Sequence, residues 1–213
     1  MKHRKRDTRW LVGVAMMSAI VVLLANTPLG LINIPPIKAT TVHIPVILGA
    51  VLLGPMAGGI LGGVFGICSM ISNTIAPVPA SICFSPFLAV SMGGAFSAVK
   101  ALWVSVGCRI LIGVVVGWLW IALKKLRAND LVALPIAGFV GSMTNTVTVM
   151  GSIFLMFRAE YAAANNKAVS AVFDFIMVTV TGAGVMEALV ALVLVTAIGK
   201  ALLRVNRVGT LPA

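Results

Sequence analysis

Apolar residues in this chain come in long unbroken runs, separated by short segments where Pro, Gly, Lys and Arg gather. A helix needs about 20 apolar residues to cross a bilayer, and several of the runs approach that length. The first, residues 10–26, follows the basic stretch Met-Lys-His-Arg-Lys-Arg-Asp-Thr-Arg. Signal peptides begin in the same way. Here no small-residue cleavage site stands out and prolines follow the run, so a retained first helix is expected.

Residues 27–42 are too rich in proline for a continuous helix and read as a loop. From His43 to Ser72 the chain is apolar, broken at Gly54-Pro55. This predicts two helices, 43–54 and 56–72, meeting at a tight turn. The first would be only about 18 Å long, so it must tilt or gain length from the loop before it. The second carries Gly58, Gly59, Gly62, Gly63 and Gly66, a small-residue face that lets a neighbouring helix approach closely. Residues 73–98 hold Pro77, Pro79, Pro86 and Gly93-Gly94 and read as a long loop. Further helices are expected at 99–123, 131–157 and 175–198, with a polar loop at 158–174. The expected fold is one all-α membrane domain, 1–213, of six transmembrane helices.

Composition narrows the class. Hydrophobic residues make up 60% of the chain and charged residues 10%, with a mean hydropathy of +1.11. A soluble domain needs about a quarter of its residues charged, and an apolar excess also excludes disorder. The net charge of +11 would suit nucleic-acid binding, but the distribution of the charges argues against it. Eleven Lys and Arg fall in three places: Lys2, Arg4, Lys5, Arg6 and Arg9; Lys124, Lys125 and Arg127; Lys200, Arg204 and Arg207. Four, Lys38, Lys100, Arg158 and Lys167, fall on the opposite face of a six-helix layout. The positive-inside rule then puts both termini in the cytoplasm. Loops 27–42, 73–98 and 158–174 would face outward over a ligand cavity open to the extracellular side.

Few polar side chains remain within the apolar runs, and these are the informative ones. Arg109, Asn145 and Glu187 fall at similar depth on three helices. Two readings stay open. Arg109 and Glu187 form a structural ion pair, or Arg109 grips an anionic ligand with its planar fork. Asn73 and Thr74, with Lys38, Thr40, Thr41 and His43, would stand at the cavity mouth, and Thr148 beside Asn145. Cys68, Cys83 and Cys108 make no metal spacing and no disulfide framework, so buried thiols are expected. No metal or catalytic residue is assigned. The chain lacks G-x-x-x-x-G-K-[ST], H-E-x-x-H and G-x-S-x-G, so it carries no ATPase, zinc-protease or esterase motif of its own. An integral membrane enzyme would need a nucleophile facing a base, and His43 gives poor support for one. An ATPase-independent carrier would favour several carboxylates along a path, and Glu187 is the one within the runs.

With these pieces in place the chain resembles the substrate-binding S component of energy-coupling factor (ECF) vitamin transporters. The resemblance covers nearly the whole length. It rests on size, on six expected spans with cytoplasmic ends, on A-x-x-x-A at Ala15 and Ala19, and on His43-Ile-Pro-Val-Ile-Leu-Gly-Ala-Val-Leu-Leu-Gly-Pro-Met-Ala-Gly-Gly. The resemblance implies a multi-pass protein of the bacterial cell membrane that binds a vitamin from outside. Such a protein docks, through Ala15 and Ala19, on a transmembrane coupling protein carrying two cytoplasmic ATPases. ATP and Mg would be used by those partners, with no cofactor on this chain. Loop 27–42 would act as a gate. The stretch 69–86, with Asn73-Thr74 and Phe84-Ser85-Pro86, resembles the pantothenate group most. That substrate offers one carboxylate to Arg109, and hydroxyl and amide groups to Asn73, Asn145, Thr148 and His43, with Lys38 nearby. Folate, riboflavin and hydroxymethylpyrimidine are the alternatives.

Overall fold

The computed structural model describes residues 8–27, 30–34, 37–165 and 168–208, with the backbone alone at 31–34, 37–39, 79, 92 and 206–208. Among the described residues the regular structure is helical apart from one hairpin. The helices are α1 (Thr8–Ala25), α2 (His43–Leu53), α3 (Pro55–Ile75), α4 (Pro86–Leu102), α5 (Cys108–Lys125), α6 (Asp130–Met156), α7 (Arg158–Ala164), α8 (Val172–Thr179) and α9 (Val185–Val208). The hairpin pairs β1 (Leu31–Ile34) with β2 (Ile37–Thr40), Leu31 opposite Thr40.

Among the described residues, five stretches are long and apolar enough to cross a membrane, rather than six. The exception is α2, with 11 residues, roughly 17 Å in length. Every residue from His43 to Val51 is buried. The helix packs against α1, α3, α5, α6 and α9, so it is sheathed in protein and need not match the bilayer's thickness. The hairpin leads into it from inside the bundle, because Thr40 already lines the cavities described below.

Residues expected as loops hold more structure. In 27–42, residues 31–34 and 37–40 form two paired strands rather than open loop. In 73–98, a 3-10 turn (Pro79–Cys83) precedes α4, whose proline stands at the helix start where no N–H is needed. Helix α4 kinks at Gly93 and Gly94, and Gly94 takes a left-handed φ of 68°. In 158–174, α7 and a 3-10 turn (Val169–Ala171) cover the bundle end, and the last long helical stretch begins at Val172 rather than 175.

Helices α3 and α5 meet backbone to backbone. A Cβ on Gly58 would lie 2.5 Å from the Gly113 carbonyl oxygen, and one on Gly66 2.6 Å from Val106 Cα. One on Gly62 would collide with the Arg109 carbonyl. Gly54, with φ of 95°, reverses the chain between α2 and α3, and Pro55 opens α3. At the far end of α5, the Asn129 side chain accepts from Leu131 N–H to start α6, and Lys124 pairs with Asp130.

Two π turns interrupt the long helices, Trp103–Gly107 ahead of α5 and Val180–Gly184 ahead of α9. Two apolar clusters flank their level. One is built round α2, with Ile47, Leu61, Ile112, Val116 and Leu134. The other gathers Cys83, Val104, Ile153, Phe157 and Val172 towards the hairpin end.

Candidate functional site

Between the two clusters lie two adjoining cavities. The first, about 240 Å³, is walled by Ala25, Val42, Phe65, Cys68 and Phe84, with Ser69, Ser72 and Asn73. The second, about 190 Å³, is walled by Asn145, Thr146, Val149, Thr179, Gly184 and Glu187. Thr40, Phe84 and Arg109 line both.

Arg109 is therefore the shared wall. Its side chain is 7% exposed. The guanidinium sits 5.3 Å from the ring centres of both Phe65 and Phe84, within cation–π range. Its Nη1 donates to the Val104 carbonyl at 3.0 Å. That carbonyl belongs to the first π turn, where the wider winding redirects backbone groups. Arg109 Nε has no hydrogen-bond partner among the described residues. Phe84 is held over the arginine by a polar knot at the end of α3. Ser81 Oγ donates to Asn73 Oδ1 at 2.7 Å, Asn73 Nδ2 donates to the Ser69 carbonyl at 2.8 Å, and the Thr74 and Ser85 hydroxyls share a bond of 2.8 Å.

Glu187 does not pair with Arg109. Among the described residues no ion pair joins them. Instead the Thr40 N–H donates to Glu187 Oε1 at 2.9 Å, and the Thr40 hydroxyl to Oε2 at 3.4 Å. A carboxylate on α9 thus holds the end of the hairpin over the cavities. Asn145 is 8% exposed, and its Oδ1 also lacks a partner among the described residues.

The other expected site residues sit differently. Asn73 lines the first cavity, but both ends of its amide are engaged in the knot. Thr148 lines neither cavity, and its hydroxyl donates to the Thr144 carbonyl of its own helix at 2.6 Å. His43 opens α2 at 1% exposure, with neither ring nitrogen partnered among the described residues. It lines neither cavity. The Lys38 side chain, like Lys2, Arg4, Lys5, Arg6 and Lys167, lies outside the described residues. Ala15 and Ala19 are both exposed, one turn apart on α1. Cys68 is half-buried and Cys83 and Cys108 are buried, all as free thiols.

Phe65, Phe84, Thr146 and Thr179 line the cavities without being marked as cavity residues by the sequence. The aromatics lie in apolar surroundings where they carry no contrast. Thr40, expected at the cavity mouth, lines both cavities. The Thr181-Gly-Ala-Gly184 stretch was the one available signal for an irregular helix beside the site.

Comparison with known proteins agrees with this architecture. The model of the family described as ECF transporter, substrate-specific component, matches residues 9–199. The chain belongs to that family, whose members are transporter subunits rather than enzymes, and it is a multi-pass membrane protein. It is 33% identical over 191 residues to the pantothenic acid transporter PanT of Lactococcus lactis subsp. cremoris (strain MG1363), covering 89% of this chain and 91% of that protein. Its fold is similar to that of the crystallised S-component for biotin from an ECF-type ABC transporter. There the TM-score is 0.52 at 18% identity, covering 94% of this chain and 95% of the other.

Proposed function

We propose that this chain is the pantothenate-binding S component of an ECF-type importer in a bacterial plasma membrane. In this reading both termini are cytoplasmic and the hairpin end faces outward. The observation that carries it is Arg109, a buried cation on the wall common to two cavities, clamped by two phenylalanines and with one guanidinium nitrogen unpartnered among the described residues. A charge this deep in an apolar bundle is costly. One carboxylate bound there would offset the cost. Pantothenate carries a single carboxylate, and the Lactococcus relative is named for that vitamin. Asn145 would meet the ligand's hydroxyl or amide groups. Asn73 would act mainly through the knot that positions Phe84, and His43 from behind the site. The loaded chain would pass its vitamin to a membrane coupling protein with two ATPases, docking through Ala15 and Ala19.

The test is a thermal-shift and calorimetric screen of the detergent-purified chain against pantothenate, folate, riboflavin, hydroxymethylpyrimidine, biotin and niacin. A ligand that binds only the folded state raises the melting temperature by mass action. A large shift with pantothenate alone is expected. A shift with another vitamin would replace the substrate and leave the transporter class standing.

A further inference from the structure

We infer that Glu187 makes the second cavity selective for neutral hydrogen-bond donors, so that the ligand enters it with its hydroxylated end and a second anionic group is rejected. This rests on the pantothenate reading above. Away from Arg109, which lines both cavities, the second cavity presents mainly acceptors. In its ionised form the Glu187 carboxylate accepts only. Asn145 Oδ1 is buried with no partner among the described residues. The Thr146 and Thr179 hydroxyls donate to their own helices, to the Ser142 carbonyl at 3.3 Å and the Phe175 carbonyl at 2.9 Å, leaving oxygen lone pairs. The N–H and hydroxyl of Thr40 are both turned to Glu187.

A carboxylate or phosphate in this cavity would face Glu187 at low dielectric and leave the other acceptors unmatched. Hydroxyl and amide N–H groups would match them. Arg109, on the shared wall, can balance one negative charge. The ligand's carboxylate therefore belongs against Arg109 and its neutral donors against Glu187 and Asn145. Pantothenate, with one terminal carboxylate and two hydroxyls at its other end, has that arrangement.

The experiment is calorimetric titration of the full chain with three ligands: pantothenate, its phosphate monoester on the terminal hydroxyl, and the analogue lacking that hydroxyl. For the unaltered chain the ester and the deoxy analogue are each expected to bind at least about 30-fold more weakly than pantothenate. Glu187→Gln keeps the shape and removes the charge. It is expected to narrow the gap between ester and pantothenate by about tenfold or more. Thr40→Val removes the hydroxyl tie but keeps the carboxylate, and is expected to leave the ester excluded. If the unaltered chain binds the ester as tightly as pantothenate, or if Glu187→Gln discriminates as the unaltered chain does, the role of Glu187 is overturned while the pantothenate reading stands. If the unaltered chain binds no pantothenate, that reading falls and takes this one with it.

Discussion

At the scale of single residues, the site depends on how an arginine is kept in an apolar bundle. Arg109 gives one hydrogen bond to a π-turn carbonyl and lies between two aromatic rings, so its position is fixed before any ligand arrives. Arg109→Ala is therefore expected to weaken pantothenate binding by at least about 30-fold. The protein should still run as a single species in size-exclusion chromatography. Arg109→Lys should fare nearly as badly, because an ammonium cannot lie as a flat plate between the rings or present a fork to a carboxylate. Calorimetry of the two variants checks both statements, and normal affinity in either would remove Arg109 from the site. Arg109, Asn145 and Glu187 were legible in the sequence because a polar group inside an apolar run needs a reason. What Glu187 holds was not legible. Its partner Thr40 lies far away in sequence, and a threonine at a helix entrance has ordinary explanations.

At the scale of elements, the glycine face of α3 sets the distance to α5 and hence the place of Arg109. Gly113→Ala would push a methyl group into the backbone of Gly58. Overpacking of this kind costs about 1–3 kcal/mol, and the misplaced α5 should also lower ligand affinity. Gly151 in α6 provides the contrast. An added Cβ there meets nothing within 4 Å, so Gly151→Ala is expected to be neutral or to stabilise by up to about 1 kcal/mol through helix propensity. Thermal unfolding of the two variants in detergent separates the cases. The small-residue face could be read from Gly58, Gly62 and Gly66 because helical spacing alone puts them in line. The π turns, the hairpin and the kinked α4 could not. Each is set by which distant backbone or carboxylate accepts its hydrogen bonds, and proline-rich composition describes only what those segments avoid.

At the scale of the whole molecule, α1 is the most exposed of the long helices. Its buried residues are Val14 and Val21, and Ala15, Ala19, Met16 and Leu23 face outward. Small side chains flanked by large apolar ones leave a shallow groove into which another helix can settle. Ala15→Trp would fill that groove without touching either cavity. It is expected to bind pantothenate normally, yet to lose co-purification with the coupling protein and uptake in cells. Unchanged co-purification would place the docking surface elsewhere. The span count shows a limit of reading by length. Residues 43–54 fall short of a span by length, yet a helix enclosed by its own protein answers to its neighbours rather than to the bilayer.

That enclosure has a consequence for biogenesis. A segment of 11 helical residues is too short to be released into lipid as a span of its own. Its flanking helices α5, α6 and α9 are synthesised after it. Until they arrive, α2 has only α1 and, across the Gly54 turn, α3 for cover. Completion of the core must therefore wait for the end of translation. A nascent chain halted before α9 should be recognised by membrane quality control and degraded faster than the finished one, a difference pulse-chase labelling would record.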